Sequence, residues 1–161
     1  VAFASYVNSE KNAANREALD ELYGTIADEM DFELIDRRAV RALSPEARAE
    51  YQEQMNILRE RAEPRMEEVN AVAPAVDVAD FVDHVDYIVD LIGLDHVGIS
   101  SDFDGGGGVE GWNDTSETFN VTLELVKRGY TEEEIGKLWS GNLLRVLDEV
   151  QRVAREIQSG D

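Results

Sequence analysis

The run Leu94-Asp95-His96-Val97-Gly98-Ile99-Ser100-Ser101-Asp102-Phe103-Asp104-Gly105-Gly106-Gly107-Gly108 decides how this chain is read. It joins a short apolar stretch to two carboxylates and a tract of four glycines. Val97, Gly98 and Ile99 predict a strand buried on both faces, of the kind found in a parallel sheet covered by helices. The glycines let the backbone fold tightly around Asp102 and Asp104 or close over a ligand. The bland alternative is an Asp-capped turn leading into a solvated loop.

Working outward, the flanks predict helices. Upstream, Val78 to Ile92 carries Phe81, Val85, Ile88 and Ile92 as a buried stripe, with Asp83, Asp86 and Asp90 opposite and Gly93 as its stop. Ala71 to Val78, with Pro74, is expected to link this helix to what precedes it. A helix followed by a strand is the order of a covered sheet, and carboxylates at the C-terminal end of such a strand occupy the working face of barrel enzymes. Downstream, Ser116 to Arg128 predicts a helix presenting Phe119, Leu123 and Val126, stopped by Gly129. Thr131 and Glu134 form a capping box for the next one, with Ile135, Leu138 and Trp139 as its apolar face. Gly141-Asn142 is expected to interrupt it before a last helix bearing Leu143, Leu144, Val146, Leu147 and Val150.

The opening Val1 to Val7 predicts another strand, with Phe3, Ser5 and Tyr6 near its end and an Asn8-Ser9 cap after it. A helix follows over Asn12 to Met30, with Ala18, Leu22, Ile26 and Met30 at four-residue spacing. Asp31 to Ala42 reads as a short charged helix. Ser44-Pro45-Glu46 restarts the chain as a helix to about Ala62, which Pro64 bends or ends. Residues 12–70 therefore form a helical hairpin whose aromatics and methionines are packing residues.

Composition excludes several classes. With 35 acidic and 15 basic residues the net charge is −20, a surface that repels phosphate backbones and argues against nucleic-acid binding. The absence of cysteine removes disulfides, thiolate nucleophiles and cysteine-based zinc sites. The glycine run lacks the Gly-Lys-Ser/Thr of a phosphate loop, and no Ser-His-Asp arrangement is evident. The seven-residue apolar opening is too short, and lacks the basic flank, for a signal peptide or a membrane span.

The chain has two histidines. His84-Val85-Asp86 has the letters of a metal-binding pair, yet on a helix two residues apart means a turn of about 160°, so the pair does not converge on one ion. His96 stands at the start of the predicted strand, about 20 Å from Asp102 at the rise of an extended chain. It is a packing or capping residue there. Asp102 is the strongest single candidate: it can take a proton from a metal-activated water or ligate a metal itself. Asp104 caps the loop or holds a substrate group. Asn142 reads as a residue that satisfies backbone groups.

His84-Val85-Asp86-Tyr87-Ile88-Val89, the segment Gly93 to Gly105 and Gly141-Asn142-Leu143-Leu144-Arg145-Val146 together resemble the C-terminal segment of the membrane (renal) dipeptidase family, the M19 metallopeptidases. The likeness extends over most of residues 76–150 and, more loosely, Val1 to Tyr6. It implies an α/β fold: about strands 7 and 8, with their helices, of a (β/α)8 TIM barrel of the amidohydrolase type. The hairpin at 12–70 resembles an insertion in some bacterial members. The resemblance implies a zinc-dependent dipeptidase with two bridged zinc ions, whose bridging hydroxide attacks a dipeptide substrate. Asp102 would be the strand-8 acid/base, while Tyr6, Asp104 and Gly105 would lie near the substrate. No metal ligand of this chain follows, because the family's His-x-Asp, bridging glutamate, further histidines and substrate-binding arginine all lie upstream of the matched part. The missing initiator methionine and missing ligands lead to the expectation of a piece of a longer protein, partnered by the N-terminal portion of the barrel and inactive alone. A homodimer, and a bacterial periplasmic or cytoplasmic location, stay open. The alternatives are another amidohydrolase-type hydrolase and a non-catalytic acidic helical module.

Overall fold

The computed structural model describes residues 2–160. In chain order its helices are α1 (Ala4–Val7), α2 (Ser9–Glu29), α3 (Arg37–Ala42), α4 (Pro45–Ala62), α5 (Met66–Val72), α6 (Val78–Ile92), α7 (Thr118–Lys127), α8 (Glu132–Gly136) and α9 (Asn142–Ser159). Among the described residues, extended backbone makes isolated bridges and no strand. None of these helices is long and apolar enough to cross a membrane. The chain divides into two compact units: Glu10–Ala75, and Val1–Ser9 with Val76–Asp161.

In the Glu10–Ala75 unit, Leu22, Ile26, Ala27, Leu58, Ala62 and Val69 form the core, and Met30, Phe32 and Met66 pack against it. Its helices begin where local chemistry supplies acceptors. Ser44 accepts from the N–H of Ala47 at 3.2 Å, with Pro45 in the first turn of α4. Asp36, unmarked in the sequence reading, caps α3 by accepting from the N–H of Ala39 at 2.7 Å. Asp31 closes α2 in the left-handed region at φ 50°, where the N–H of Phe32 donates to Ala27 O at 2.9 Å. That is a glycine-type C-cap made by an aspartate, whose short polar side chain tolerates the conformation.

In the second unit, α6 runs over the expected residues from a capping box of Asp77 and Asp80. Phe81, Val82 and Val85 are buried with Val121, Leu125, Ile135 and Leu138. Arg128 ties the C-terminal end of α7 to α6: it pairs with Asp83 at 2.5 Å, Asp86 at 2.7 Å and Glu124 at 3.0 Å, and donates to Ala79 O at 2.9 Å. Burial works against its charge, yet the hydrogen bonds it donates to these carboxylates hold Arg128 further above the ordinary arginine value. The Tyr130 hydroxyl completes the network by donating to Asp86 at 2.6 Å.

Several sequence expectations are corrected. Ala4–Val7 is one turn of helix instead of the end of a strand, and Val1 lies outside the described residues. Phe3 makes a single parallel bridge to Gly108. The Val97–Ser101 segment is extended without a ladder, and only one of its faces is covered: Val97 and Ile99 are buried, whereas Gly98 and Ser100 are exposed. The physical reason is that a strand exists only through a neighbour's backbone groups. Here Ile99 N donates to Leu138 O at 2.9 Å and Ser100 O accepts from Ala2 N at 3.1 Å, with no further rungs among the described residues.

Ile92 at the end of the α6 stripe is exposed, as are Phe119, Leu123 and Val126 of α7, whose buried residues are Val121 and Leu125. Both faces of α7 are apolar, so periodicity alone favoured the wrong one. Gly141-Asn142 does not break the chain into separate helices. Lys137–Gly141 forms a wide π-turn that carries α8 continuously into α9. Beyond it the apolar residues Leu143, Leu144, Val146, Leu147 and Val150 are exposed.

Candidate active site

Asp102 ends the extended segment and starts a 3-10 turn, Phe103–Gly105. Its position follows from what holds the segment. On the buried side Val97 and Ile99 enter the core of the second unit. At its start, Asn142 is buried and its Nδ2 donates to Leu94 O at 2.7 Å and Val97 O at 2.9 Å. The sequence expectation of a backbone-satisfying asparagine is met there. On the other edge Ala2, fully buried, donates to Ser100 O and receives a hydrogen bond from Gly108 N. The two predicted strand regions thus lie side by side at one point.

The glycine tract wraps Asp102. Gly105 N donates to its carbonyl at 3.0 Å and its carboxylate Oδ1 at 3.2 Å, and Gly107 N donates to the same carbonyl at 2.7 Å. The close approach requires glycine. A Cβ on residue 105 would lie 2.1 Å from Asp102 Oδ2, and one on residue 107 would lie 2.8 Å from both Asp102 N and O. Gly106 then turns left-handed at φ 92°, which side chains resist. Beneath the turn, Phe103 meets Trp112 edge-on at 5.6 Å, and Trp112 contacts Phe81 at 5.1 Å and Trp139 at 6.0 Å. The indole N–H groups of Trp112 and Trp139 donate to Thr118 and Thr122 at 3.1 and 3.0 Å. An aromatic stack with its polar atoms satisfied is a rigid support for the turn.

The other sequence candidates are scattered around this centre. Asp104 and Gly105 are exposed on the same turn as Asp102, itself exposed. Tyr6 is 76% exposed on α1, its ring edge-on to Phe3 at 5.7 Å. His84 lies on α6 and His96 ends the 3-10 turn Leu94–His96, at the far end of the extended segment from Asp102. Among the described residues no three His, Cys, Asp or Glu side chains come together as a metal site. The donor set of this chain therefore does not fit a zinc pair. Of the two expectations for the glycine tract, a tight fold around Asp102 and closure over a ligand, the structure shows the first, and it identifies Gly105 and Gly107 as the residues that make it.

A family model described as membrane dipeptidase (peptidase family M19) matches residues 38–161. Dipeptidase aclJ of Aspergillus oryzae is 42% identical over 86 residues, 53% of this chain and 20% of that protein. Dipeptidase ataJ of Aspergillus terreus is 47% identical over 74 residues, 45% of this chain and 18% of that protein. A solved structure, the probable dipeptidase PvdM from Pseudomonas aeruginosa, is 35% identical with a TM-score of 0.49, over 85% of this chain and 34% of that one. The matched segments thus span about a fifth of the curated relatives' length.

Proposed function

This chain belongs to the membrane dipeptidase family, peptidase family M19, and from that premise we propose that it forms the closing part of a zinc-dependent dipeptidase barrel in which Asp102 handles the proton. Residues 12–70 are the helical insertion of that barrel. The metal ligands come from polypeptide outside this chain, and a dipeptide is the substrate.

The observation that carries the reading is the alternation along the extended segment. Val97 and Ile99 pack under the helices, while Gly98 and Ser100 are exposed. In a barrel with helices outside, residues facing away from the helices line the interior. Asp102 continues the Gly98 and Ser100 series, at the C-terminal end where barrel enzymes place their chemistry. Its Oδ1 is oriented by Gly105 N–H, which fixes the carboxylate while it accepts a proton from the attacking water and returns it to the leaving amine. Asp104 and Gly105 on the same turn, and Tyr6 beyond the neighbouring segment, form the substrate rim.

The test is Asp102→Asn in the complete enzyme. Turnover of dipeptides is expected to fall by on the order of 10²–10⁴-fold, with zinc content unchanged. Unchanged turnover refutes the role of Asp102. Assay of L-L and L-D dipeptides beside simple amides and lactones separates a dipeptidase from another amidohydrolase-type enzyme.

A further inference from the structure

Basic residues are scarce here, 15 against 35 acidic ones, yet three arginines surround one concavity of the Glu10–Ala75 unit. The concavity measures about 650 Å³; its floor is Ile35, Val40, Tyr51 and Met55, and Arg37, Arg41 and Arg59 stand at its rim. The amides of Gln52 and Asn56 complete the lining, and no Asp or Glu belongs to it. The three arginines are exposed, and among the described residues none of them is ion-paired with a carboxylate. Arg59 Nη1 donates to Asn56 Oδ1 at 3.1 Å, which ties one guanidinium to a lining amide.

The walls are fixed before any ligand arrives. Arg48 donates to Val40 O at 3.3 Å and Arg41 O at 2.8 Å, tying the end of α3 to α4. The Tyr51 hydroxyl accepts from Ile35 N and donates to Ile35 O, both at 3.4 Å. Arg37 and Arg41 are four residues apart on α3, and Gln52, Asn56 and Arg59 follow one stripe of α4, so the donors form two banks above the apolar floor. Guanidinium groups suit carboxylates because their planar fork matches the two oxygens.

We propose that this concavity binds a small organic anion carrying one or two carboxylates on an aromatic or branched apolar body. The volume lies within the range of small-molecule sites, about 300–1,000 Å³. The overall charge of −20 selects against polyanions, which meet the whole negative surface. A small anion carries fewer charges to be repelled by that surface, and screening over about 8 Å at physiological salt favours its short-range contacts with the arginines. The proposal is independent of Asp102 and of the dipeptidase reading.

The probe is N-benzoyl-L-glutamate, titrated calorimetrically into the 161-residue chain, with the Met55 methyl resonance followed in parallel. One-site saturable binding that shifts Met55 is expected. It should weaken by about tenfold or more in the Arg41→Gln/Arg59→Gln variant. It should also weaken on raising sodium chloride from about 0.05 to about 0.5 M. Both substituted side chains are exposed, and an unchanged circular dichroism spectrum establishes that the variant is folded; Arg41→Lys/Arg59→Lys, which keeps the charge without the fork, should bind between the two. Benzamide and glutarate, each carrying half of the recognised chemistry, should bind more weakly than the probe. Absence of saturable binding, equal binding by the glutamine variant, equal binding of benzamide, or binding that leaves Met55 unmoved overturns the proposal.

Discussion

Gly105 and Asp102 are packed so closely that the backbone N–H of the glycine serves both oxygen-bearing groups of the aspartate, its carbonyl and its Oδ1. The turn and the carboxylate therefore form one unit. A change in either is felt in the other.

That unit predicts an order of severity. At residue 105 a Cβ collides with the Asp102 carboxylate, which can rotate away; at residue 107 it collides with Asp102 backbone atoms, which cannot. Gly107→Ala should destabilise the chain by about 1–3 kcal/mol and Gly105→Ala by less, the usual scale for overpacking. Urea denaturation of the two variants checks the order. In the complete enzyme, Gly105→Ala should still lower kcat because it displaces the carboxylate.

Asn142 is the buried polar residue of the second unit's core, and its amide serves two carbonyls at once. Asn142→Ala leaves Val97 O without that donor, while Leu94 O keeps the N–H of Val97 at 3.2 Å, and a buried group left unsatisfied costs about 1–3 kcal/mol. Asn142→Asp should cost more, since it brings a carboxylate to two acceptors. Amide exchange across Val97 and Ile99 should accelerate in both variants.

Stability should decline at both ends of the pH scale through the α6–α7 network. The hydrogen bond from Arg128 holds Glu124 below its ordinary 4.5, so its contribution is present above pH 4.5 and is lost as pH falls through the lower folded-state value. Burial, and then the hydrogen bond to Asp86, raises Tyr130 above its ordinary 10.0. Its contribution is full below pH 10 and is lost as pH rises through the folded-state value. Urea midpoints against pH should show both limbs. Glu124→Gln should flatten the acid one, and Tyr130→Phe the alkaline one.

Ser101 Oγ is buried and makes no hydrogen bond among the described residues. Ser101→Ala removes a desolvated hydroxyl and should stabilise this chain by about 1 kcal/mol. A thermal melt reads the sign directly. A loss of stability would mean that the hydroxyl has a partner.

The helices were legible where cap chemistry and periodicity agree, as at Ser44-Pro45, at Thr131 with Glu134 and over Val78–Ile92. Asp36 and Asp31 act at helix ends too, but an aspartate in a charged stretch carries no distinguishing mark. The strands were not realised because Val97 and Ile99 announce a buried face without saying whose backbone will pair with them. The apolar residues of α7 point both ways, so the buried face was decided by tertiary packing. Asp102 was legible as a candidate because a carboxylate before a glycine tract is unusual. The glycine tract announced a tight fold around Asp102 as one of two possibilities; that Gly105 and Gly107 make the approach is a matter of distances below 3 Å, which letters do not carry.

The π-turn at Lys137–Gly141 is, in effect, one residue more than an α-helix needs. It works as a phase shifter. Winding the same five residues as regular α-helix would rotate everything after them by about 100° and swing the Leu147 and Val150 side of α9 to a different bearing. It would also move the Leu138 carbonyl that receives Ile99 N–H. The direction in which the last helix offers its apolar side and the seating of the segment that ends in Asp102 are thus set by the same five residues.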